Sequence, residues 1–147
     1  MTRVAGIDCG TNSIRLLIAD TAEPGLVDVV REMRVVRLGQ GVDHTGRLAP
    51  EALERTRVAL ADYAATITAN DTERVRMVAT SATRDAENRA DFFAMVRGAL
   101  GVDAEVITGT EEAALSFAGA VSGLPGVRGP LLVADIGGGS TELVLGG

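Results

Sequence analysis

Apolar and polar residues alternate along the first part of the chain, a period typical of strands that bury one face. We predict strands over residues 3–9, 14–20 and 26–38, with the turn GTNS between the first two. Successive strands joined by short turns pair antiparallel. The chain is therefore expected to open with a β-meander.

The pattern changes after residues 39–47, a stretch rich in Gly, Asp and Thr that predicts a loop. Pro50 suits the first turn of a helix, which we expect to run to about residue 70. The elements predicted after it are strands at 74–80 and 104–107 and helices at 88–100 and 110–122. Because strands that alternate with helices pair in parallel, the predicted fold class is α/β with a mixed sheet. Three Gly and two Pro in residues 123–130 predict a linker, and a new strand follows at 131–135.

Composition narrows the possible chemistry. All 14 basic residues are Arg, which excludes a Walker A phosphate loop and Schiff-base catalysis, since both need Lys. The single His44 and the single Cys9 exclude zinc sites of the Cys/His type and disulfide frameworks. Any anion-binding site must therefore use backbone groups, hydroxyls and Arg.

Charge and hydropathy indicate where the protein works. The net charge of −6 argues against a general nucleic-acid binder, which gains affinity from a basic surface. The N-terminus has one basic residue, Arg3, and reaches Asp8 before any long apolar run, so it does not resemble a secretory signal. No stretch approaches the roughly 20 apolar residues of a membrane span. We expect a cytoplasmic protein with no membrane or nucleic-acid partner.

The pattern D-x-G-x-x-S occurs twice, at residues 8–13 and 135–140, each time after an apolar strand and before another. Gly allows a sharp turn that brings successive N–H groups up to an anion, and the hydroxyls add donors. The predicted phosphate-binding residues are Gly10, Thr11, Asn12 and Ser13 in the first copy and Gly137, Gly138, Gly139 and Ser140 in the second. Two such loops facing each other would hold a phosphate chain from both sides.

The aspartates that open the two copies suggest a metal. Asp8 and Asp135 gain nothing by touching a phosphate directly, but each can hold Mg²⁺ or its water shell against one. The alternative for either turn alone is a plain β-hairpin, because Gly-rich turns between strands are common. The repetition of matching Asp, Gly and Ser favours the phosphate clamp.

Arg84 is the first candidate for a catalytic residue between the two copies. It lies in the run ATSATRDA, which follows the strand 74–80 at its carboxyl end, where open α/β sheets place ligand-binding loops. Its guanidinium could offer two parallel hydrogen bonds to a terminal phosphate. The alternative is a solvated surface Arg.

Two adjacent carboxylates, Glu111 and Glu112, open the helix that follows residue 108. They project about 100° apart around the axis, so one faces a cleft at most. Thr108 and Glu111 fit the capping-box pattern S/T-x-x-E, which gives Glu111 a structural task and leaves Glu112 as the candidate general base. The alternative is that both acids only favour the helix dipole. Glu142 is a weaker candidate for the base or for a ligand of a metal-bound water.

Four strings, GIDCGTNSIRLLIAD, ATSATRDA, TGTEEA and DIGGGSTEL, occur in this order and resemble the Ppx/GppA phosphatases of the actin-like superfamily. The resemblance implies an actin-like, ribonuclease H-like fold with phosphate bound between two domains. It also implies that Glu112 is the catalytic base, that Arg84 contacts phosphate, that Glu142 belongs to the second loop and that the metal is Mg²⁺.

The resemblance further implies a domain organisation. Residues 1–128 would form domain I with the first phosphate loop, and 129–147 the opening β-hairpin of a truncated domain II with the second. Because family members continue beyond this point, we expect the isolated chain to be inactive. An apolar hairpin with an unpaired edge is expected to pair with a second copy, which predicts a homodimer. The alternative is disorder beyond about Pro130.

The function implied is that of an exopolyphosphatase, which removes the terminal phosphate of inorganic polyphosphate. A close alternative is hydrolysis of the 5′ γ-phosphate of guanosine pentaphosphate (pppGpp), which breaks the same kind of bond. A third possibility is a non-catalytic phosphate or nucleotide sensor, which would not need a base at Glu112.

Overall fold

The computed structural model describes residues 1–22, 25–122, 124, 126–137 and 141–146, without the side chain of Glu142. The strands are β1 Arg3–Cys9, β2 Ser13–Ala22, β3 Gly25–Val35, β4 Arg74–Ala79, β5 Ala104–Val106, β6 Leu131–Ile136 and β7 Thr141–Gly146. The helices are α1 Val42–Thr45, α2 Pro50–Ala69, α3 Ser81–Arg84, α4 Arg89–Leu100 and α5 Gly109–Ser122. None of the helices in these ranges combines the length and apolar content that crossing a membrane requires.

A five-stranded sheet in the order β3-β2-β1-β4-β5 forms the centre of the fold. β1, β2 and β3 are antiparallel neighbours, whereas β4 pairs in parallel with both β1 and β5. This confirms the predicted meander followed by parallel strands. Strand β1 is therefore central, with a hydrogen-bonded partner on each side, and its carboxyl end leads directly into the first predicted phosphate loop.

The core lies between one face of this sheet and the helices α2 and α4. On β1 the alternating residues Ala5, Ile7 and Cys9 are buried in it, whereas Asp8 points to the opposite face. Tyr63 of α2 is fully buried, and its hydroxyl donates a 3.0 Å hydrogen bond to the carbonyl of Ile14. The packing of this face thus fixes the direction in which Asp8 projects.

Cys9 is a core residue, as its apolar flanks predict. Burial, together with the neighbouring negative charge of Asp8, raises the pKa of its thiol to about 12. Cys9 is therefore protonated at neutral pH, and a protonated thiol is not the nucleophilic form.

Strand β3 ends at Val35, three residues earlier than predicted. The N–H groups of Val36 and Arg37 both donate to the carbonyl of Asn12, at 3.0 and 2.8 Å, and Arg37 has a positive φ of 50°. The chain therefore leaves the strand direction and wraps around the first loop. The hydrophobic pattern continues through Leu38 because Val36 and Leu38 are buried in the core without belonging to the strand.

Two short helices lie where the sequence predicts only loop. Helix α1 occupies part of residues 39–47 between Gly41 and Gly46, whose φ angles are +75° and +70°. Helix α3 lies within ATSATRDA and is a single turn. A hydrophobic period cannot be recognised over so few residues, because helical periodicity needs a window of several turns.

The second sheet is the hairpin of β6 and β7, in which Asp135 lies opposite Glu142. One face of the hairpin packs on α5: a Cβ added to Gly146 would lie 2.4 Å from Cζ of Phe117. The other face is exposed and apolar, with Leu132, Ile136, Leu143 and Leu145 between 68% and 80% exposed. The predicted linker 123–130 lies partly outside the described residues, and the domain boundary at 128/129 stays a prediction.

Candidate functional site

A cleft of about 320 Å³ lies where the two sequence repeats meet. The first repeat contributes Asp8, Gly10, Thr11, Asn12 and Ser13, the second contributes Asp135, Ile136 and Gly137, and Glu112, Arg15, Met33 and Val35 complete the lining. The structure therefore brings together both predicted metal-binding aspartates, the first loop, the start of the second and the predicted base. Residues 138–140 and the side chain of Glu142 lie outside the part of the chain that is described.

The first loop is held by its own backbone. The N–H of Gly10 donates to the carbonyl of Ser13 at 3.0 Å, and the carbonyls of Thr11 and Asn12 accept hydrogen bonds from residues 36–39. In a trans peptide the N–H points opposite to the carbonyl. The N–H groups of Asn12 and Ser13 are consequently directed away from residues 36–39, as an anion clamp requires.

Thr11 was predicted to offer its hydroxyl to phosphate, and the structure gives that hydroxyl a partner within the protein. Its Oγ1 lies 3.0 Å from Oγ of Ser81, at the start of α3. Its methyl group packs against Gly39, where an added Cβ would lie 2.3 Å from Cγ2. Thr11 thus connects the first loop to α3, and its contact with phosphate stays a prediction.

Arg84 lies at the carboxyl end of β4, on the last residue of α3, as the sequence predicts. Its half-buried guanidinium donates from Nη1 to the carbonyl of Ile107, the residue before Thr108. This bond connects α3 to the start of α5. Arg84 is not among the described residues that line the cleft. The guanidinium carries further N–H donors, so a role in phosphate binding stays a prediction.

The two adjacent glutamates at the start of α5 lie in different environments. Thr108 Oγ1 accepts the N–H of Glu111 at 3.1 Å, and the carbonyl of Thr108 accepts the N–H of Glu112 at 2.9 Å. This confirms the Thr108 half of the predicted capping box, whereas no hydrogen bond from the Thr108 N–H to the Glu111 carboxylate is found among the described residues. Glu111 is exposed, whereas Glu112 is half-buried, lines the cleft and has a buried Oε2.

Asp8 and Asp135 form the electrostatic centre of the cleft. Burial raises the pKa of Asp8, and the negative charge of Asp135 raises it further, whereas Arg15 lowers it. Asp8 is open to solvent by surface area, yet it lies in a concave site where surrounding protein displaces much of its hydration. The two carboxylates are thus close enough to repel each other.

This pair fits a magnesium ion. The described residues contain no group of three His, Cys, Asp or Glu side chains that could enclose a metal. Mg²⁺, however, keeps several waters and is usually bound by one or two carboxylates together with substrate phosphates. Two carboxylates that line one cleft beside the first loop suit that arrangement, and a divalent cation would relieve their repulsion.

Sequence reasoning missed two polar residues of the site, Arg15 and Ser116. Arg15 lies directly opposite Asp8 in the β1–β2 register, on the same face of the sheet, and lines the cleft. Counting residues across the GTNS turn would have found it. Ser116, whose hydroxyl contacts Asp135, follows Glu112 by one helical turn, and no motif distinguishes it.

The fold and the cleft define a class of protein: an α/β domain of actin-like type, with two related loops and several carboxylates around one cleft. The Ppx/GppA phosphatase family matches residues 17–147, and the chain belongs to this family. The resemblance inferred from the four sequence strings is confirmed.

Individual relatives agree with this assignment. The chain is 63% identical to Exopolyphosphatase 2 of Mycobacterium tuberculosis over an alignment of 155 positions, covering 99% of this chain and 49% of that protein. The crystal structure of an exopolyphosphatase-like protein matches with a TM-score of 0.95 and 56% identity, covering 99% of this chain and 45% of the other. A Ppx/GppA family member from Aquifex aeolicus matches with a TM-score of 0.85 and 38% identity, covering 99% and 47%. The chain spans about half the length of the curated relatives it matches.

The contact between Gly39 and Thr11 gives a stability prediction. Gly39→Ala should lower the free energy of unfolding by roughly 1–3 kcal/mol, because the new Cβ overlaps the Thr11 methyl group. In a Thr11→Ser background, which lacks that methyl group but keeps the hydroxyl, the loss should be much smaller. Urea denaturation of the four proteins measures the coupling. Gly98→Ala, where a Cβ meets open space, is the control; equal losses in both backgrounds would contradict the contact.

The raised pKa of Asp8 gives a prediction about pH. A carboxyl whose pKa is higher in the folded state than its ordinary 3.8 opposes folding once it ionises, and this penalty disappears below that pH. Without divalent cations, Asp8→Asn should therefore stabilise the protein at pH 7, with a gain that shrinks as the pH falls through the raised pKa of Asp8 and is absent below 3.8.

Asp20 serves as a control because its pKa is shifted in the opposite direction from that of Asp8. Its hydrogen bonds from Arg3 lower its pKa, so Asp20→Asn should destabilise the protein at pH 7 and have less effect in acid. Thermal midpoints measured from pH 3 to pH 8 distinguish the two carboxylates. A gain from Asp8→Asn that does not depend on pH would show that ionisation is not its cause.

Proposed function

We propose that the protein hydrolyses the terminal phosphate of inorganic polyphosphate, as an exopolyphosphatase. The observation that carries this proposal is the convergence of Glu112, Asp8 and Asp135 on one cleft beside the first loop. Family membership and the printed name of the tuberculosis relative support the choice of substrate. A sensor without activity is less well supported, since it would not require a half-buried carboxylate from α5 at this position.

In the proposed reaction, Glu112 accepts a proton from a water molecule as that water attacks the terminal phosphorus. The new bond forms between the water oxygen and phosphorus, while the bridging P–O bond breaks and the shortened chain leaves with the bridging oxygen. Phosphoryl transfer depends mainly on positioning and charge stabilisation. The N–H groups of the first loop would orient the terminal phosphate, and Arg15 and Arg84 would supply positive charge near it.

Asp8 and Asp135 would hold Mg²⁺ in this scheme, with phosphate oxygens and water completing its coordination. The chemistry that this ion would supply is positive charge to stabilise the phosphoryl group during transfer. The carboxylates themselves would repel a polyanion, and a bound divalent cation would cancel their negative charges and so remove that repulsion. The second loop, residues 137–140, and Glu142 are proposed to contact phosphate from the opposite side.

A second candidate function is hydrolysis of pppGpp, favoured by a groove next to the cleft. This groove, about 510 Å³, shares Asp8, Arg15 and Met33 with the cleft and has a largely apolar floor that includes Leu17 and Val78. A nucleoside attached to a phosphate chain could lie there while its terminal phosphate occupies the cleft.

The homodimer and the cytoplasmic location stay predictions.

A substrate comparison tests the proposal. With Mg²⁺ present, purified full-length protein should release orthophosphate from long-chain polyphosphate with a higher kcat/KM than from pppGpp. Steady-state phosphate release on both substrates measures this. Turnover of pppGpp alone would favour the second candidate, and turnover of neither would overturn the assignment.

The two glutamates provide a matched pair of variants. Glu112→Gln should lower kcat by roughly 10²- to 10⁴-fold with little change in KM, because it removes the general base and keeps the shape of the side chain. Glu111→Gln, on the exposed side of the same helical turn, should lower kcat by less than about tenfold. Steady-state kinetics on polyphosphate distinguishes them. The reverse order of effects would show that Glu111 is the base.

A further inference from the structure

Helix α5 contacts the second repeat through side chains one turn after Glu112. Ser116 lies four residues beyond Glu112, so both project from the same side of the helix. The half-buried Oγ of Ser116 donates a 2.6 Å hydrogen bond to Oδ2 of Asp135 at the end of β6. The next residue, Phe117, packs on Gly146 of β7.

We infer that Ser116 is a positioning residue that holds the Asp135 carboxylate toward the cation site of the cleft. The inference rests on the proposed function, in which Asp135 and Asp8 bind a divalent cation. A hydroxyl donating to a carboxylate forms one of the stronger and shorter hydrogen bonds in proteins. With Oδ2 engaged by Ser116, the orientation of the carboxylate is set, and Oδ1 remains as its second acceptor.

Two features of the site make such a bond necessary. First, Asp8 and Asp135 line the same cleft and carry the same charge, which favours orientations of an unrestrained Asp135 side chain that turn away from Asp8 when no cation is bound. Second, the packing of Phe117 on Gly146 places the hairpin but does not fix the direction of a carboxylate, because apolar contact is not directional. The bond from Ser116 supplies that direction.

Helix α5 carries both the proposed general base and the residue that holds Asp135. Glu112 reaches the cleft from the first turn of α5, and Ser116 holds Asp135 from the next turn. Glu112 and Asp135 therefore keep a fixed relation to each other even though they lie on different elements. Hydrogen bonds to metal-binding carboxylates typically influence metal affinity or activity by 10- to 100-fold when removed.

The experiment measures Mn²⁺, as a paramagnetic probe for the Mg²⁺ site, in the absence of substrate. Full-length protein is titrated with Mn²⁺, and free Mn²⁺ is followed by electron paramagnetic resonance. Ser116→Ala removes the hydroxyl that donates to Asp135. Ser116→Thr and Ser116→Val form a matched pair, since they differ mainly in a hydroxyl against a methyl group. Ser122→Ala removes a hydroxyl that donates to the Gly119 carbonyl in the last turn of α5, and serves as the control.

We expect Ser116→Ala and Ser116→Val to weaken Mn²⁺ binding by roughly tenfold, with Ser116→Thr and Ser122→Ala close to the parent protein. The Mg²⁺ concentration that gives half-maximal phosphate release should rise by a similar factor in the same two variants. Their thermal midpoints without metal should match that of Ser116→Thr within a few degrees, which separates positioning from loss of folding.

Asp135→Asn distinguishes failure of this inference from failure of the proposed function. If Asp135→Asn loses Mn²⁺ binding while Ser116→Ala and Ser116→Val retain it, Ser116 does not position the carboxylate and only this inference is overturned. If Asp135→Asn binds Mn²⁺ as the parent does, the proposed metal role of Asp135 is wrong and the inference fails with it.

Discussion

The rest of this structure depends on holding the Asp8 carboxylate in a cleft that partly desolvates it and that it shares with Asp135. Burial is the main cause of the raised pKa of Asp8, and the negative charge of Asp135 adds to it, so the two carboxylates are unfavourable neighbours. Each is held by a different device. Asp8 is fixed by the central strand β1, paired on both sides and packed on one face against α2 and α4, whereas Asp135 lies on a two-stranded hairpin and depends on α5. The position of Asp8 is thus set by the packed central sheet, whereas that of Asp135 is set by its contacts with α5.

Much of the fold follows from the sequence because its signals are regular. The alternation in the first strands and the helical period after Pro50 each extend over enough residues to be recognised, and the main elements fall where they predict. The single turns α1 and α3 and the early end of β3 do not follow, because they are set by contacts from distant residues. For example, the carbonyl of Asn12 accepts hydrogen bonds from the N–H groups of Val36 and Arg37.

The candidate site could be predicted in its residues better than in its contacts. The repeated motif and the N-cap at Thr108 were sufficient to select Asp8, Asp135 and Glu112, which meet in the cleft. The hydrogen bonds of Thr11 to Ser81 and of Arg84 to Ile107 were not foreseen, since each joins elements that are far apart in sequence. These bonds give residues chosen for phosphate chemistry a structural task as well.

The buried Cys9 has a practical consequence. It is the sole thiol of the chain, it lies in the middle strand of the main sheet, and its thiolate form is suppressed by burial and by the neighbouring Asp8. An alkylating reagent can therefore reach it only when β1 separates from the core, which requires disruption of the central packing. The rate at which such a reagent increases the mass of the protein would therefore report how often the domain opens, without an engineered label.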